Sequence, residues 1–137
     1  IVRLVGSEMC IRDSINRMTL DDFFFIKDNH ISQSKDITKT IAQVKAFYPK
    51  KKITVEVDTI TQLKKIINEK IDVVLLDNMN AMQIKKCIKI INGRFQCEAS
   101  GNITLKNLNT ISKTGVNRIS TGQLTHSISN VDFGLEI

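Results

Sequence analysis

The chain has no tryptophan, a single tyrosine and a single proline. Single-stranded nucleic acid is usually held on aromatic platforms interleaved with basic residues. The one basic run, Lys50-Lys51-Lys52, has no such interleaving, and the remaining lysines are dispersed. A net charge of +6 therefore reads as solvated helix faces and an anionic small ligand, not as a nucleic-acid stripe. Cysteine is scarce as well: Cys10, Cys87 and Cys97 form no CxxC pair, and their number is odd. That argues against a disulfide framework or a zinc site and fits a reducing, cytoplasmic compartment. No apolar run is long enough to cross a bilayer, so no membrane partner is expected. Residues 1–14 lack the basic start and sustained apolar region of a signal peptide.

What is present suits one modest domain. The 137 residues are 42% hydrophobic and 25% charged, enough to build a core and too apolar for general disorder. The opening stretch differs from the rest. Residues 5–14, VGSEMCIRDS, have neither helical nor strand period and resemble translated sequencing adaptor. Residues 1–14 are therefore expected to be a non-native leader, and residues 15–137 to carry the fold. The missing initiator methionine agrees with a truncated gene.

From residue 20 onward short apolar runs alternate with segments of helical spacing. Strands are predicted at 23–26, 53–57, 72–76, 95–99, 116–120 and 131–135. The first predicted helix, 36–48, places Ile37, Ile41, Val44 and Phe47 on one face and is closed by Pro49. Thr59 and Thr61 suit the start of the second, with Ile60, Leu63, Ile66 and Ile67 facing inward. The third, 80–92, offers Met82, Ile84, Ile88 and Ile91, with Gly93 as its C-cap. The fourth, 104–113, offers Leu105, Leu108 and Ile111, with Gly115 beyond. Such strand-helix repeats predict an α/β fold of parallel strands with crossover helices. An open doubly wound sheet and part of a β/α barrel both satisfy them. Five such units and a last strand fall short of a complete eight-unit barrel, so the chain is expected to be a fragment.

The chemistry gathers where the strands end. The first strand runs into Lys27, the second carries Glu56 and then Asp58, and the third ends at Asp77. Later strands run into Ser100-Gly101-Asn102 and Thr121-Gly122-Gln123, with His126 close behind. In parallel α/β folds the C-terminal strand ends face the ligand, so Lys27, Glu56, Asp77, Ser100 and Thr121 should converge on one mouth. A polar residue after a strand is often only a cap or turn residue, and Asp58 and Asn102 allow that reading as readily as a functional one. Glu56 does not, because a carboxylate between Val55 and Val57 is costly without a partner. The two glycine turns let backbone N–H groups approach a phosphate. A lysine, two acids and a phosphate grip imply a phosphorylated, anionic substrate and Mg²⁺.

The strings IKDNHI at 26–31, VEV at 55–57, LDNM at 76–79, EASGNIT at 98–104, TGV at 114–116 and LTHS at 124–127 occur in one order. Together they resemble the quinolinate phosphoribosyltransferase family over residues 16–137. The resemblance implies a partial open β/α barrel of the type II phosphoribosyltransferase kind, with residues 15–137 forming the C-terminal part of the catalytic domain. It implies transfer of a phosphoribosyl group from phosphoribosyl pyrophosphate to quinolinate with decarboxylation. The products would be nicotinate mononucleotide, pyrophosphate and CO₂, a step of de novo NAD synthesis. By the same resemblance Arg17 and Lys27 bind a quinolinate carboxylate. Glu56 and Asp77 lie near the ribose and hold Mg²⁺, directly or indirectly. Ser100, Gly101, Asn102, Thr121, Gly122 and Gln123 grip phosphate, with His126 beside them. The family works as a dimer or larger homo-oligomer.

The chain departs from the family pattern at Asn16-Arg17, where His-Arg is usual, so the leader junction puts Arg17 in doubt. Other substrate-binding arginines and a lysine of the family have no counterpart here, and the chain alone is expected to be inactive. Two other readings remain: a related phosphoribosyltransferase acting on another nitrogen heterocycle, and a receiver-like signalling module built around the string VVLLDNM.

Overall fold

In the computed structural model the described residues are 23–27 and 37–122. Five strands and four helices alternate along them. The strands are β1 (Phe23–Ile26), β2 (Lys52–Val57), β3 (Val73–Asp77), β4 (Gln96–Ser100) and β5 (Arg118–Ile119). The helices are α1 (Ile37–Phe47), α2 (Ile60–Ile66), α3 (Ala81–Ile91) and α4 (Leu105–Ser112). The strand expected at 131–135 lies outside the described residues.

All pairings are parallel, and the sheet runs β1-β2-β3-β4-β5, the order of the chain itself. This order decides between the two architectures. A doubly wound sheet reverses direction at a switch point, whereas a β/α barrel adds each strand beside the last. It also removes the receiver-like reading, in which the first strand separates the second from the third. Here β2 separates β1 from β3.

Strand alternation divides the side chains between two faces. Ile53, Val55, Val57, Val74, Leu76, Cys97 and Ala99 join Ile41, Leu63, Ile66, Ile84 and Ile91 of the helices in one core. Each fully buried aliphatic side chain there contributes about 2 kcal/mol by leaving water. Val73 and Leu75 are buried too but stand outside that cluster, on the opposite face.

The helix boundaries follow local chemistry. Thr59 caps α2 and Asn80 caps α3, each in a reciprocal box with the residue three further on, Gln62 and Gln83. At the far end of α3 the left-handed turn is taken by Asn92 (φ 47°), with Gly93 (φ 74°) following it. The cap is thus Asn92, one residue before the glycine expected from the sequence. Three residues expected in the core are exposed: Phe47 at 79%, Met82 at 70% and Leu105 at 79%. Each sits in a terminal turn, where the inward stripe has run past the sheet. At the N-terminal ends of the strands, Asp72 accepts a hydrogen bond from the N–H of Ile53 (2.8 Å) and pairs with Lys45 (3.3 Å), tying α1 to β2 and β3.

Candidate active site

The face turned away from the helices lines an open cavity of about 1150 Å³. Register builds it in rows. Glu56 of β2 stands beside Leu75 of β3, which stands beside Glu98 of β4 and then Arg118 of β5. One row nearer the strand ends, Asp77 stands beside Ser100. Lys27, Lys52 and Arg118 add positive charge to the lining, against Glu56 and Glu98. A cavity with both signs of charge and several cations suits an anionic ligand.

The strand ends bring three acids together. Carboxylate oxygens of Glu56, Asp58 and Asp77 lie within 4.8 Å of one another. Hard oxygen donors at this spacing fit Mg²⁺, which is usually held by one or two carboxylates plus water and substrate phosphate. Asp58 is therefore part of the group, although its backbone N–H also donates to Gln62 Oε1 (2.8 Å) in the turn before α2. The helix cap itself is Thr59, not Asp58.

Lys27 is exposed at the end of β1, its Nζ 5.9 Å from the centre of the Phe25 ring. Ser100 closes β4, and Gly101 (φ 79°) and Asn102 (φ 51°) turn the chain toward α4. The Asn102 amide donates to Asn78 Oδ1 (2.9 Å). After β5, the Thr121 hydroxyl donates to the carbonyl of Ile103 (2.9 Å), fastening the second glycine turn, with Gly122, to the loop that leaves β4. Lys27, Glu56, Asp77, Ser100, Gly101, Asn102, Thr121 and Gly122 all lie at C-terminal strand ends, as expected. Arg17, Gln123 and His126 lie outside the described residues.

Glu98 is a cavity residue that the strand-end reasoning passes over. It is 6% exposed and accepts a hydrogen bond from the Ser120 hydroxyl. A buried carboxylate needs such a partner. The signal in the sequence is weaker than at Glu56: an acid inside a strand, but between Cys97 and Ala99 and not between two valines. Cys87 and Cys97 are buried and unbridged on the helix side. Burial pushes both thiols up, Cys97 to about 11, with the neighbouring Cys87 adding to the effect. Neither is poised as a nucleophile.

A chain-ordered parallel sheet with acids and glycine turns at its C-terminal strand ends is the arrangement of part of a β/α barrel with its candidate site at the barrel mouth. The comparisons narrow that class. The family model for the quinolinate phosphoribosyl transferase C-terminal domain matches residues 2–136, and the chain belongs to that family. It is 35% identical to the decarboxylating quinolinate phosphoribosyltransferase 2b of Nicotiana tabacum, over 89% of this chain and 40% of that protein. It is 36% identical to the probable carboxylating nicotinate-nucleotide pyrophosphorylase of Methanocaldococcus jannaschii, over 89% of this chain and 46% of the relative. Among solved structures, the nicotinate-nucleotide pyrophosphorylase of Ehrlichia chaffeensis superposes with a TM-score of 0.80 at 38% identity, covering 88% of this chain and 44% of that one. A thiamine phosphate pyrophosphorylase of Pyrococcus furiosus, at 16% identity and a TM-score of 0.58, shares the fold. The chain thus spans less than half the length of the relatives it matches. Among the described residues no helix is long and apolar enough to cross a membrane.

Proposed function

We propose that the full-length protein carrying this chain transfers the phosphoribosyl group of phosphoribosyl pyrophosphate to quinolinate and releases nicotinate mononucleotide, pyrophosphate and CO₂. The observation that carries this reading is the cluster of Glu56, Asp58 and Asp77 at the strand ends, with Glu56 lining a cavity that Lys27 and Arg118 also line, in a chain of this family. Lys27 and Arg17 bind a carboxylate of quinolinate and aim its ring nitrogen at the ribose, an orientation effect. That nitrogen forms a bond to the anomeric carbon as the bond to pyrophosphate breaks. Positive charge grows on the ribose, and Glu56 and Asp77 stabilise it.

Ser100, Gly101, Asn102, Thr121, Gly122 and Gln123, with His126, hold the phosphates. The carboxylates of Glu56, Asp58 and Asp77 would hold Mg²⁺, which when bound would supply charge neutralisation for the pyrophosphate leaving group. The ring, now a pyridinium, accepts the electron pair of the breaking carbon–carboxylate bond, so no side-chain nucleophile is needed. A proton then replaces CO₂ on that carbon. The parent works as a homodimer or larger homo-oligomer in the cytoplasm; a reducing compartment is supported by Cys87 and Cys97, which stand as buried thiols.

Assaying the full-length protein with quinolinate and with nicotinate, each beside phosphoribosyl pyrophosphate and Mg²⁺, tests the reading. Turnover of quinolinate alone is expected. Turnover of nicotinate in preference to quinolinate would overturn it.

A further inference from the structure

Three left-handed residues crowd the ends of two neighbouring strands: Asn78 (φ 52°), Gly101 (φ 79°) and Asn102 (φ 51°). Outside glycine this backbone is uncommon, and asparagine is among the residues that adopt it. Here the contacts form a line that ends on an acid of the site. The Asn107 side-chain amide, in the first turn of α4, donates to the carbonyl of Asn102 (2.9 Å). The Asn102 amide donates to Asn78 Oδ1 (2.9 Å). The Asn78 amide donates in turn to Asp77 Oδ2 (2.6 Å). The Asn78 backbone N–H is fixed by the carbonyl of Ser100 (3.0 Å). The amide orientation of Asn78 follows from chemistry, since a carboxylate accepts and the Asn102 Nδ2 donates. Turned over, Asn78 would set oxygen against oxygen at one end and N–H against N–H at the other.

Gly101 completes the arrangement. A Cβ on it would lie 2.7 Å from Cγ and 2.8 Å from the backbone N of Asn78, closer than real contacts allow. This glycine therefore serves the approach of Asn78, in addition to any phosphate.

We propose that Asn78 is a positioning residue that fixes the Asp77 carboxylate within the acid cluster, and that the 100–102 turn reaches the reaction through Asn78. The proposal rests on the reading of Asp77 as part of the reacting site. Outer-shell partners of this kind commonly alter activity or metal affinity by about 10- to 100-fold. The informative variant in the full-length protein is Asn78→Gly, because glycine keeps the left-handed backbone while removing the amide. It is expected to lower kcat about tenfold or more, leave KM for quinolinate and the thermal midpoint near the parent values, and weaken Mn²⁺ binding, followed by the signal of the free ion in electron paramagnetic resonance. Gly101→Ala should also lower kcat and weaken Mn²⁺ binding by displacing Asn78, but with a lowered thermal midpoint, because alanine is strained at φ 79°. The kcat losses of the two changes together should be less than their product.

Asp77→Ala separates this proposal from the reading beneath it. If Asp77→Ala leaves turnover intact, the site reading fails. If Asp77→Ala lowers kcat while Asn78→Gly changes neither kcat nor Mn²⁺ affinity, the positioning role is overturned. A kcat loss in Asn78→Gly that disappears at temperatures where the variant is fully folded overturns it equally.

Discussion

Carboxylates on a sheet face need company, and those bordering this cavity find it in different ways. Glu98 takes the Ser120 hydroxyl and Asp77 takes the Asn78 amide, whereas Glu56 stands near two like charges, Asp58 and Asp77, an arrangement that a bound cation would relieve. The roles proposed for them separate in kinetics. Glu56→Ala and Asp77→Ala are each expected to lower kcat in the full-length protein by more than they raise KM for quinolinate, because they act on charge that appears in the transition state. Lys27→Ala is expected to do the reverse, raising KM for quinolinate more than it lowers kcat. Steady-state kinetics of the variants checks both, and unchanged turnover in Glu56→Ala and Asp77→Ala would remove their role.

Cys97 makes a prediction of another kind. Its thiol is pushed up to about 11 from an ordinary value of 9.0 by burial first and by Cys87 second. Between those values the unfolded chain has released the proton and the folded chain keeps it. Stability from this group is thus present below pH 9 and is lost as pH rises toward 11. Urea midpoints across that window should fall less steeply for Cys97→Ala than for the parent. Equal slopes would show that the thiol is not held neutral.

At this scale much of the site is legible in the sequence. Glu56 and Asp77 stand out because charge interrupts or ends β-branched and aliphatic runs. Glu98 is harder to see because small neighbours, Cys97 and Ala99, make its strand look less apolar. Asn78 is hidden for a different reason: an asparagine after a strand is an ordinary turn residue, and only the contact with Gly101 distinguishes it.

The elements are legible wherever local chemistry alone sets them. Thr59 and Asn80 begin helices because each meets a glutamine three residues on. Removing the cap in Asn80→Ala should cost about 1 kcal/mol, read from urea unfolding. Helix ends are where periodicity misleads. Phe47, Met82 and Leu105 continue an apolar pattern that the sheet no longer covers, so they face solvent. Met82→Lys should accordingly change stability by less than about 0.5 kcal/mol. A loss of several times that would mean that Met82 is covered by something else in the full-length protein. Leu76→Ala is the contrast, a fully buried side chain whose truncation should cost about 2–5 kcal/mol.

For the molecule as a whole, strand order carries the most information and is the feature the sequence leaves open. Repeating strand-helix units fit both a doubly wound sheet and a barrel, since each unit has the same crossover and only the side on which the next strand is added differs. The observed order β1-β2-β3-β4-β5 puts every described candidate residue predicted from the sequence at one end of one parallel sheet. That geometry, in a chain of this family, supports the reaction proposed for the full-length protein. The reaction has a signature that no simple phosphoribosyl transfer shares, the loss of a carboxylate with each transfer. The most direct test is to supply the full-length protein with quinolinate labelled in the ring-2 carboxylate and to measure labelled CO₂ against pyrophosphate. Equal amounts, formed together and dependent on phosphoribosyl pyrophosphate, are the expected result. Pyrophosphate released without labelled CO₂ would contradict the account.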